Sequence, residues 1–279
     1  MSERLSRPFA ILQQARLPLI PIGAILCIHP GWARKEKRMK RADGRVYDEL
    51  RPVRIVSGFQ SFAEGSALIE LGKTHVLCSV SAEERVPNFL KGGGSGWITA
   101  EYAMLPRATV TRTPRDSSLG RIGGRNQEIQ RFIGRSLRAV ADLSIIGERT
   151  LIVDCDVIQA DGGTRTAAVT GAYVALYQAF QNMVNMGVIS AIPMKSAVAA
   201  TSVGIMHGNM FLDLCYDEDC NAAVDFNVVM TSKGEFVEIQ GTAEHKPFSR
   251  EAIDNLISLA EKGIKQLFEF QQAALKGGK

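Results

Sequence analysis

Short apolar runs bounded by glycine alternate along this chain with longer segments in which apolar residues recur every three or four positions. The short runs are rich in β-branched residues and are typical of strands, whereas the longer segments are typical of helices. The predicted strands are 53–56, 66–71, 75–80, 99–105, 151–158, 197–205, 210–216, 223–231 and 235–241. The predicted helices are 126–146, 164–186 and 249–275.

This order of strands and helices predicts an α+β fold, in which mixed sheets pack against helices. We expect a disordered extension over residues 1–38 and one folded region over 39–279, built from β-rich halves at 39–187 and 188–279. The composition agrees with this size, because a chain of 279 residues with 46% hydrophobic side chains can bury one large core or two small ones.

The predicted extension differs from the rest of the chain in charge and in apolar pattern. Its net charge is +5, and its apolar run over 17–28 is interrupted by Pro18 and Pro21. This run is too short for a membrane-spanning helix, so we expect no membrane association. An upstream start that is not used, with translation beginning at Met39, is an alternative interpretation, and a mitochondrial-type targeting segment is a minor one.

The cysteines and histidines do not form a metal or disulfide pattern. The five cysteines contain no CxxC pair, and the four histidines lack zinc-ligand spacing. Scattered cysteines in an odd number are typical of a reducing compartment. We therefore expect a cytoplasmic protein with neither structural zinc nor a disulfide framework.

Positive charge is concentrated in the middle of the chain. Residues 85–149 carry eleven basic side chains, ten of them arginine, against five acidic ones. The planar guanidinium group of arginine suits the oxygens of phosphate, so this stretch predicts a localised site for a polyanion. A solvated or intersubunit surface is the alternative interpretation.

A candidate phosphate-binding turn lies where strand 151–158 meets helix 164–186. Gly162 and Gly163 end the strand, and Thr164-Arg165-Thr166 begins the helix. The first N–H groups of a helix have no intrahelical partner and lie at the positive end of its dipole. Arg165 adds a charge-assisted donor for the same oxygens. An ordinary strand–turn–helix corner is the alternative at this point.

A second chemical signal is a carboxylate inside an apolar strand. Asp225 alternates with Val224 and Phe226 and therefore faces the opposite side of the strand, together with Asn227. A hairpin between strands 210–216 and 223–231 would bring Asp219 close to Asp225, and two carboxylates with phosphate oxygens and water suit Mg²⁺. Alternatively, Asp219 belongs to a solvated turn and Asp225 pairs with an arginine.

With these residues in hand, the chain from about Arg41 to the last helix resembles the ribonuclease PH family of phosphorolytic 3′-exoribonucleases, which are tRNA nucleotidyltransferases. The matching segments are RADGR at 41–45, DELRP at 48–52, GGGSGWITAEY at 92–102, MLPRAT at 104–109, DVIQADGGTRT at 156–166 and EIQGT at 238–242. Residues 1–38 have no counterpart in the resemblance.

The resemblance implies a fold like that of ribosomal protein S5 domain 2, assembled as a homohexamer that is a trimer of dimers. It also implies three groups of site residues: Arg125, Gly163, Thr164 and Arg165 for phosphate; Asp219 and Asp225 as a catalytic pair holding Mg²⁺ or Mn²⁺; and Arg107, Arg112 and Arg115 for tRNA. Related polynucleotide phosphorylases have a lysine two residues after the second aspartate, where this chain has Asn227.

The implied reaction trims tRNA precursors and other structured RNA 3′ ends, with inorganic phosphate as co-substrate and nucleoside 5′-diphosphates as products. Phosphate is itself a nucleophile, so the absence of an evident serine or histidine base is compatible with this chemistry. Two other functions stay open: a catalytically inactive ring subunit that only binds RNA, and a hydrolytic two-metal nuclease, which would need more clustered carboxylates.

Overall fold

Two β-sheets and six α-helices make up the residues that the structure, a computed structural model, describes: 41–244 and 246–277. The predicted α+β class is confirmed. The extension predicted over 1–38 lies outside the described residues. Among those residues, none of the helices combines the length and the apolarity needed to cross a lipid bilayer.

The first sheet contains five strands in the order β1-β2-β3-β5-β4, of which only β4 and β5 pair in parallel. Its strands are β1 (Val53–Ser57), β2 (Gly65–Leu71), β3 (Thr74–Glu83), β4 (Trp97–Met104) and β5 (Thr150–Gln159). The helices of this half are α1 (Asp116–Leu119), α2 (Gly124–Val140), α3 (Leu143–Ile146) and α4 (Thr164–Asn185), with a short 3₁₀ helix at Asn88–Leu90.

The second sheet contains four antiparallel strands in the order β7-β6-β8-β9. Its strands are β6 (Val198–Met206), β7 (Asn209–Leu212), β8 (Val224–Thr231) and β9 (Phe236–Ala243). The short helix α5 (Tyr216–Asn221) connects β7 to β8, and the long helix α6 (Arg250–Gly277) follows β9.

Helix α4 is the centre of the core because it packs against both sheets. It contacts β2 and β3 of the first sheet and β6 of the second, and fifteen of its residues are buried. A helix that is apolar on nearly all sides is stable only when it is surrounded by protein. Each large apolar side chain buried here contributes about 1.5–3 kcal/mol to stability. The burial of this helix therefore contributes strongly to the stability of the fold.

The helix predicted over 126–146 is interrupted, which corrects the sequence-based boundary. Helix α2 ends at Val140, and Ala141 has an extended backbone. The Asp142 carboxylate accepts from the Ser144 N–H at 3.2 Å and begins α3. This local side-chain bond competes with continuation of the helix, which is why periodicity alone missed the break.

The predicted hairpin between residues 210–216 and 223–231 is wrong. Strand β7 ends at Leu212, Asp213 has φ +54°, and β7 and β8 lie on opposite sides of β6. The residues of the predicted turn instead form α5, in which the Glu218 carboxylate accepts from the Cys215 N–H at 3.0 Å. This capping of the first turn explains a helix where the sequence predicted a hairpin turn.

Candidate active site

The turn between β5 and α4 depends on two consecutive glycines. Gly162 and Gly163 have φ +73° and +64°, a region that other residues adopt only at a cost in strain. A Cβ on Gly162 would also lie 2.7 Å from the Leu214 carbonyl oxygen, so this turn packs directly against the chain before α5. Gly163 precedes α4, and the first N–H groups of that helix have no carbonyl partner within it.

The side chains that follow the turn are oriented by buried partners. The Tyr102 hydroxyl donates to the Thr164 hydroxyl at 2.8 Å, and the Thr166 hydroxyl donates to the Gly163 carbonyl at 2.9 Å. Burial raises the pKa of Tyr102, although the bond to Thr164 and the nearby arginines oppose this rise. Tyr102 therefore remains a neutral donor that fixes the Thr164 side chain.

Arg165 is held at the edge of the turn by residues of two other elements. Its Nη1 donates to the Gln240 Oε1 at 3.0 Å and approaches the Glu128 carboxylate at 3.3 Å. Gln240 in turn donates to Glu128 at 2.9 Å. Because Glu128 lies on α2 and Gln240 on β9, this network ties both elements to the first turn of α4.

One cavity of about 580 Å³ contains all four residues predicted to bind phosphate. Arg125 is the second residue of α2, is exposed, and lines this cavity together with Gly163, Thr164 and Arg165. The arrangement presents two guanidinium groups and the N–H groups of a helix start to the same space. Such a set of donors is suited to an anion with several oxygens.

Asp219 on α5 and Asp225 on β8 line the same cavity, as predicted, although a helix and not a hairpin turn carries Asp219. In the described part of the chain, the buried Asp225 Oδ1 has no hydrogen-bond partner, and its Oδ2 has only a long contact of 3.5 Å from the Asn227 amide. Among the described residues, neither aspartate forms an ion pair with an arginine. The alternative in which Asp225 pairs with an arginine is therefore wrong for the described residues.

The pKa values of both aspartates are raised. Burial, followed by the charge of Asp219, raises the pKa of Asp225 to about 6, while Arg165 and Arg125 oppose the shift. Burial also raises the pKa of Asp219, again against the two arginines. An unpaired carboxylate of this kind is costly in a cavity, and raised pKa values of this kind are frequent at functional sites.

The two aspartates fit a divalent cation by their chemistry. Carboxylate oxygens are the preferred ligands of Mg²⁺, and a site of two carboxylates leaves positions for substrate oxygens and water. The Oδ1 of Asp225, to which no described residue donates a hydrogen bond, is available as a ligand atom. Within the part of the chain that the structure describes, there is no cluster of three or more acidic, cysteine or histidine side chains that could hold a metal by itself.

The loop between β4 and α2 carries the three arginines predicted to contact tRNA. Arg107, Arg112 and Arg115 are exposed, and none of them forms an ion pair with another described residue. Thr111 and Thr113 of the same loop line the cavity. The loop that carries these exposed basic side chains therefore also contributes to the wall of the candidate site.

The positive charge predicted over residues 85–149 is partly used inside the protein. Arg135 forms an ion pair with Glu238 of β9 at 2.6 Å, and Arg138 lies over the Trp97 ring and donates to the Ile98 carbonyl at 2.7 Å. Arg131 is exposed. The high arginine content of this region thus has a structural component as well as a candidate anion-binding one.

Two buried ion pairs behind the cavity were not predicted from the sequence. Arg51 pairs with Asp213 at 2.6 Å, and Arg41 pairs with Glu218. The segments that contain Arg41 and Arg51 belong to the family resemblance, but the sequence assigns these arginines no role. An arginine next to apolar positions is the sequence feature that could indicate such a pair, because a buried arginine requires an acidic partner.

Comparison with known proteins agrees with this architecture. Models for domain 1 and domain 2 of the 3′ exoribonuclease family match residues 49–180 and 196–263. The protein named Ribonuclease PH from Dehalococcoides mccartyi is 64% identical over 234 residues, covering 84% of this chain and 97% of its own length. Its namesake from Syntrophomonas wolfei is 58% identical over 237 residues, covering 85% and 99%.

Solved structures of related fold are more distant in sequence. The crystal structure of rice (Oryza sativa) Rrp46 has a TM-score of 0.69 at 21% identity and covers 84% of this chain and all of its own. A structure of the Archaeoglobus fulgidus exosome with RNA bound to the active site has a TM-score of 0.71 at 22% identity, covering 82% and 92%. These likenesses concern the fold.

The extent of the family match and the high identity to relatives settle the class of protein. The chain belongs to the 3′ exoribonuclease family, the ribonuclease PH family. The predicted family and fold are confirmed, and so is the predicted activity: the chain is a phosphate-dependent 3′-exoribonuclease, a nucleotidyltransferase. The inactive ring subunit is not favoured.

Proposed function

We propose that the cavity binds inorganic phosphate next to the 3′-terminal phosphodiester of an RNA. Arg125, Arg165 and the N–H groups of Gly163 and Thr164 hold the phosphate. The observation that carries this assignment is the convergence of these four donors and two unpaired carboxylates on one cavity. Anion-binding groups on one side and candidate cation ligands on the other suit a reaction between two phosphate groups.

In this reaction an oxygen of the bound phosphate forms a bond to the phosphorus of the terminal phosphodiester. The bond from that phosphorus to the 3′ oxygen of the preceding nucleotide breaks, and this oxygen takes up a proton to become the new 3′ hydroxyl. The products are a nucleoside 5′-diphosphate and an RNA one nucleotide shorter. The main obstacle is repulsion between two anions, which Arg125 and Arg165 offset by positioned positive charge.

Asp219 and Asp225 would hold a divalent cation, Mg²⁺ or Mn²⁺, in this site. Such an ion supplies positive charge that stabilises developing negative charge on phosphoryl oxygens. Asn227 contributes an amide near Asp225, so no lysine from this position adds a further cation. The two carboxylates therefore require the charge of the ion more than a site with a neighbouring lysine would.

The substrates we propose are tRNA precursors and other structured RNA 3′ ends. The exposed arginines Arg107, Arg112 and Arg115 contact the phosphate backbone of the RNA outside the cavity, where contacts give affinity without sequence preference. We further propose a cytoplasmic homohexamer, a trimer of dimers, which would bring several such loops together. Light scattering tests the assembly: a monomer at micromolar concentration would contradict it.

The reaction is tested with a tRNA that carries extra 3′ nucleotides, incubated with and without phosphate. We expect nucleoside diphosphates only when phosphate is present. Release of nucleoside monophosphates without phosphate would indicate hydrolysis, and RNA binding without any release would indicate an inactive subunit. Chelation with EDTA should stop the release, and added Mg²⁺ or Mn²⁺ should restore it.

A further inference from the structure

The carbonyl groups of the Gly162–Gly163 turn are held on the side that faces away from the cavity. The Gly162 carbonyl accepts from the Thr74 hydroxyl at 2.7 Å and from the Arg51 Nη2 at 3.4 Å. The Asp161 carbonyl accepts from the Arg51 Nη1. Thr74 and Arg51 are both buried, and neither lies on the wall of the cavity.

Fixing these carbonyls also fixes the N–H groups that follow them. In a trans peptide the C=O of one residue and the N–H of the next point in opposite directions in one rigid plane. No cis peptide occurs among the described residues. Holding the Gly162 carbonyl inward therefore turns the Gly163 N–H outward, towards the cavity, and the Asp161 carbonyl does the same for the Gly162 N–H.

Arg51 is itself fixed by a buried carboxylate from the other half of the molecule. Its Nε and Nη2 donate to Asp213 Oδ2 and Oδ1 at 2.9 and 2.6 Å, and its backbone N–H donates to the Oδ2 at 2.8 Å. Asp213 is fully buried and lies just before α5. The same guanidinium group thus bonds to the phosphate turn and to the chain that leads to Asp219.

The hydroxyl of Thr74 completes this arrangement. Besides donating to the Gly162 carbonyl, it accepts from the Asp161 N–H at 2.9 Å. The Asp161 carboxylate in turn accepts from the Tyr216 N–H at the start of α5, at 3.3 Å. The Asp161 N–H and the carbonyls of Asp161 and Gly162 are therefore bonded to residues that do not line the cavity, which leaves the outward N–H groups available for a ligand.

We propose that Thr74 and Arg51 are positioning residues that orient the Gly163 N–H towards bound phosphate, with Asp213 holding Arg51 in place. This inference rests on the proposed phosphate site. Neither residue touches phosphate; each acts through the peptide planes of the turn. Their loss should weaken phosphate binding selectively and leave RNA binding unchanged, because the RNA contacts lie on other elements.

Thr74→Val and Thr74→Ser form the matched pair that tests the proposal. Valine keeps the shape of threonine but lacks the hydroxyl, whereas serine keeps the hydroxyl. We expect Thr74→Val to raise the KM for phosphate about tenfold, consistent with the loss of a buried hydrogen bond, while the KM for RNA stays within about twofold. Thr74→Ser should restore a phosphate KM close to that of the unmodified protein.

Arg51→Lys is the second variant. Lysine keeps a positive charge opposite Asp213 but lacks the planar guanidinium group, which donates to Asp213 and to the turn at the same time. Arg51→Lys is judged by the same ratio of phosphate KM to RNA KM, and it replaces Thr74→Val if that variant does not fold. Circular dichroism and thermal unfolding identify the folded variants. An equal rise of both KM values, or a Thr74→Ser variant as impaired as Thr74→Val, would overturn the proposal.

Arg125→Ala, measured in parallel, separates this inference from the function on which it rests. If Arg125→Ala raises the phosphate KM and the folded Thr74 and Arg51 variants do not, the positioning role is wrong and the phosphate site stands. If none of the variants changes the phosphate KM, the phosphate site itself is wrong, and the positioning role falls with it.

Discussion

The two halves of the molecule contribute opposite kinds of groups to one cavity. The first half supplies Arg125, Arg165 and the N–H groups at the start of α4, and Arg165 is already oriented by Glu128 and Gln240. The second half supplies Asp219 and Asp225, and the Asp225 Oδ1 has no hydrogen-bond partner in the part of the chain that the structure describes. The first side is therefore organised before any ligand arrives, whereas the second carries an unfavourable charge that a cation would relieve.

Removing the charge of Asp225 in the second half should have the largest effect. We expect Asp225→Asn to lower turnover on the order of 10³-fold, because it removes a candidate cation ligand, while RNA binding measured by gel shift is retained. Asp217→Asn, which changes an exposed acid of the same α5 helix, is the matched control. Turnover by Asp225→Asn equal to that of the control would rule out the cation site.

The matching change in the first half is Arg125→Ala. We expect kcat/KM for phosphate to fall about 10²-fold, mainly through a higher phosphate KM, since one positioned charge contact is lost from the attacking group. Arg131→Ala, also exposed on α2 but away from the cavity, should stay near the unmodified value. An unchanged phosphate KM in Arg125→Ala would contradict the assignment of Arg125 to phosphate binding.

A weaker effect is expected outside the cavity. Replacing Arg107, Arg112 and Arg115 together by alanine should lower the affinity for tRNA about 10- to 100-fold at low salt, and should reduce the slope of log affinity against log salt. Fluorescence anisotropy over a range of salt concentrations measures both quantities. If the slope is unchanged, these arginines do not contact RNA phosphates.

The smallest effect concerns stability and its dependence on pH. The pKa of Asp225 is about 6 in the folded protein, against an ordinary 3.8. Between about pH 4 and 6 the Asp225 carboxyl group is therefore protonated in the folded state but ionised in the unfolded state. Above this range it is ionised in both states, and its buried charge destabilises the folded state. In EDTA at pH 8, Asp225→Asn should therefore raise the free energy of unfolding by about 1–3 kcal/mol.

This gain should shrink as the pH falls from 6 towards 4, because the carboxyl group of the unmodified protein then becomes neutral as well. Denaturant unfolding at several pH values measures the difference between the two proteins. If the difference in the free energy of unfolding is constant across this range, burial does not raise the pKa of Asp225. The charge of Asp225 would then not destabilise the folded state.

Local patterns were sufficient to predict most of the fold. The β-branched runs gave nearly all strands, and the periodic segments gave α2, α4 and α6 with errors at their ends. The failures occurred where one side chain decided the backbone, as at Asp142 and at Glu218, which cap new helices. A hydrophobic pattern does not record such bonds.

The residues of the phosphate turn could be predicted from the sequence, whereas the buried residues that orient this turn could not. The phosphate turn is continuous in sequence, so Gly163, Thr164 and Arg165 signal it directly. The pairing of Arg51 with Asp213 joins residues 162 positions apart, and the peptide orientation set by Thr74 is a property of the folded backbone. Neither could be derived from one sequence without knowing which segments meet.

The burial of α4 between both sheets ties the integrity of the site to that of the whole molecule. Amide hydrogens in the middle of this helix should exchange with deuterium mainly through global unfolding, because opening one sheet alone leaves the helix packed against the other. On heating, phosphate binding and global structure should consequently be lost in a single transition, with no folded state in which the anion site alone has melted.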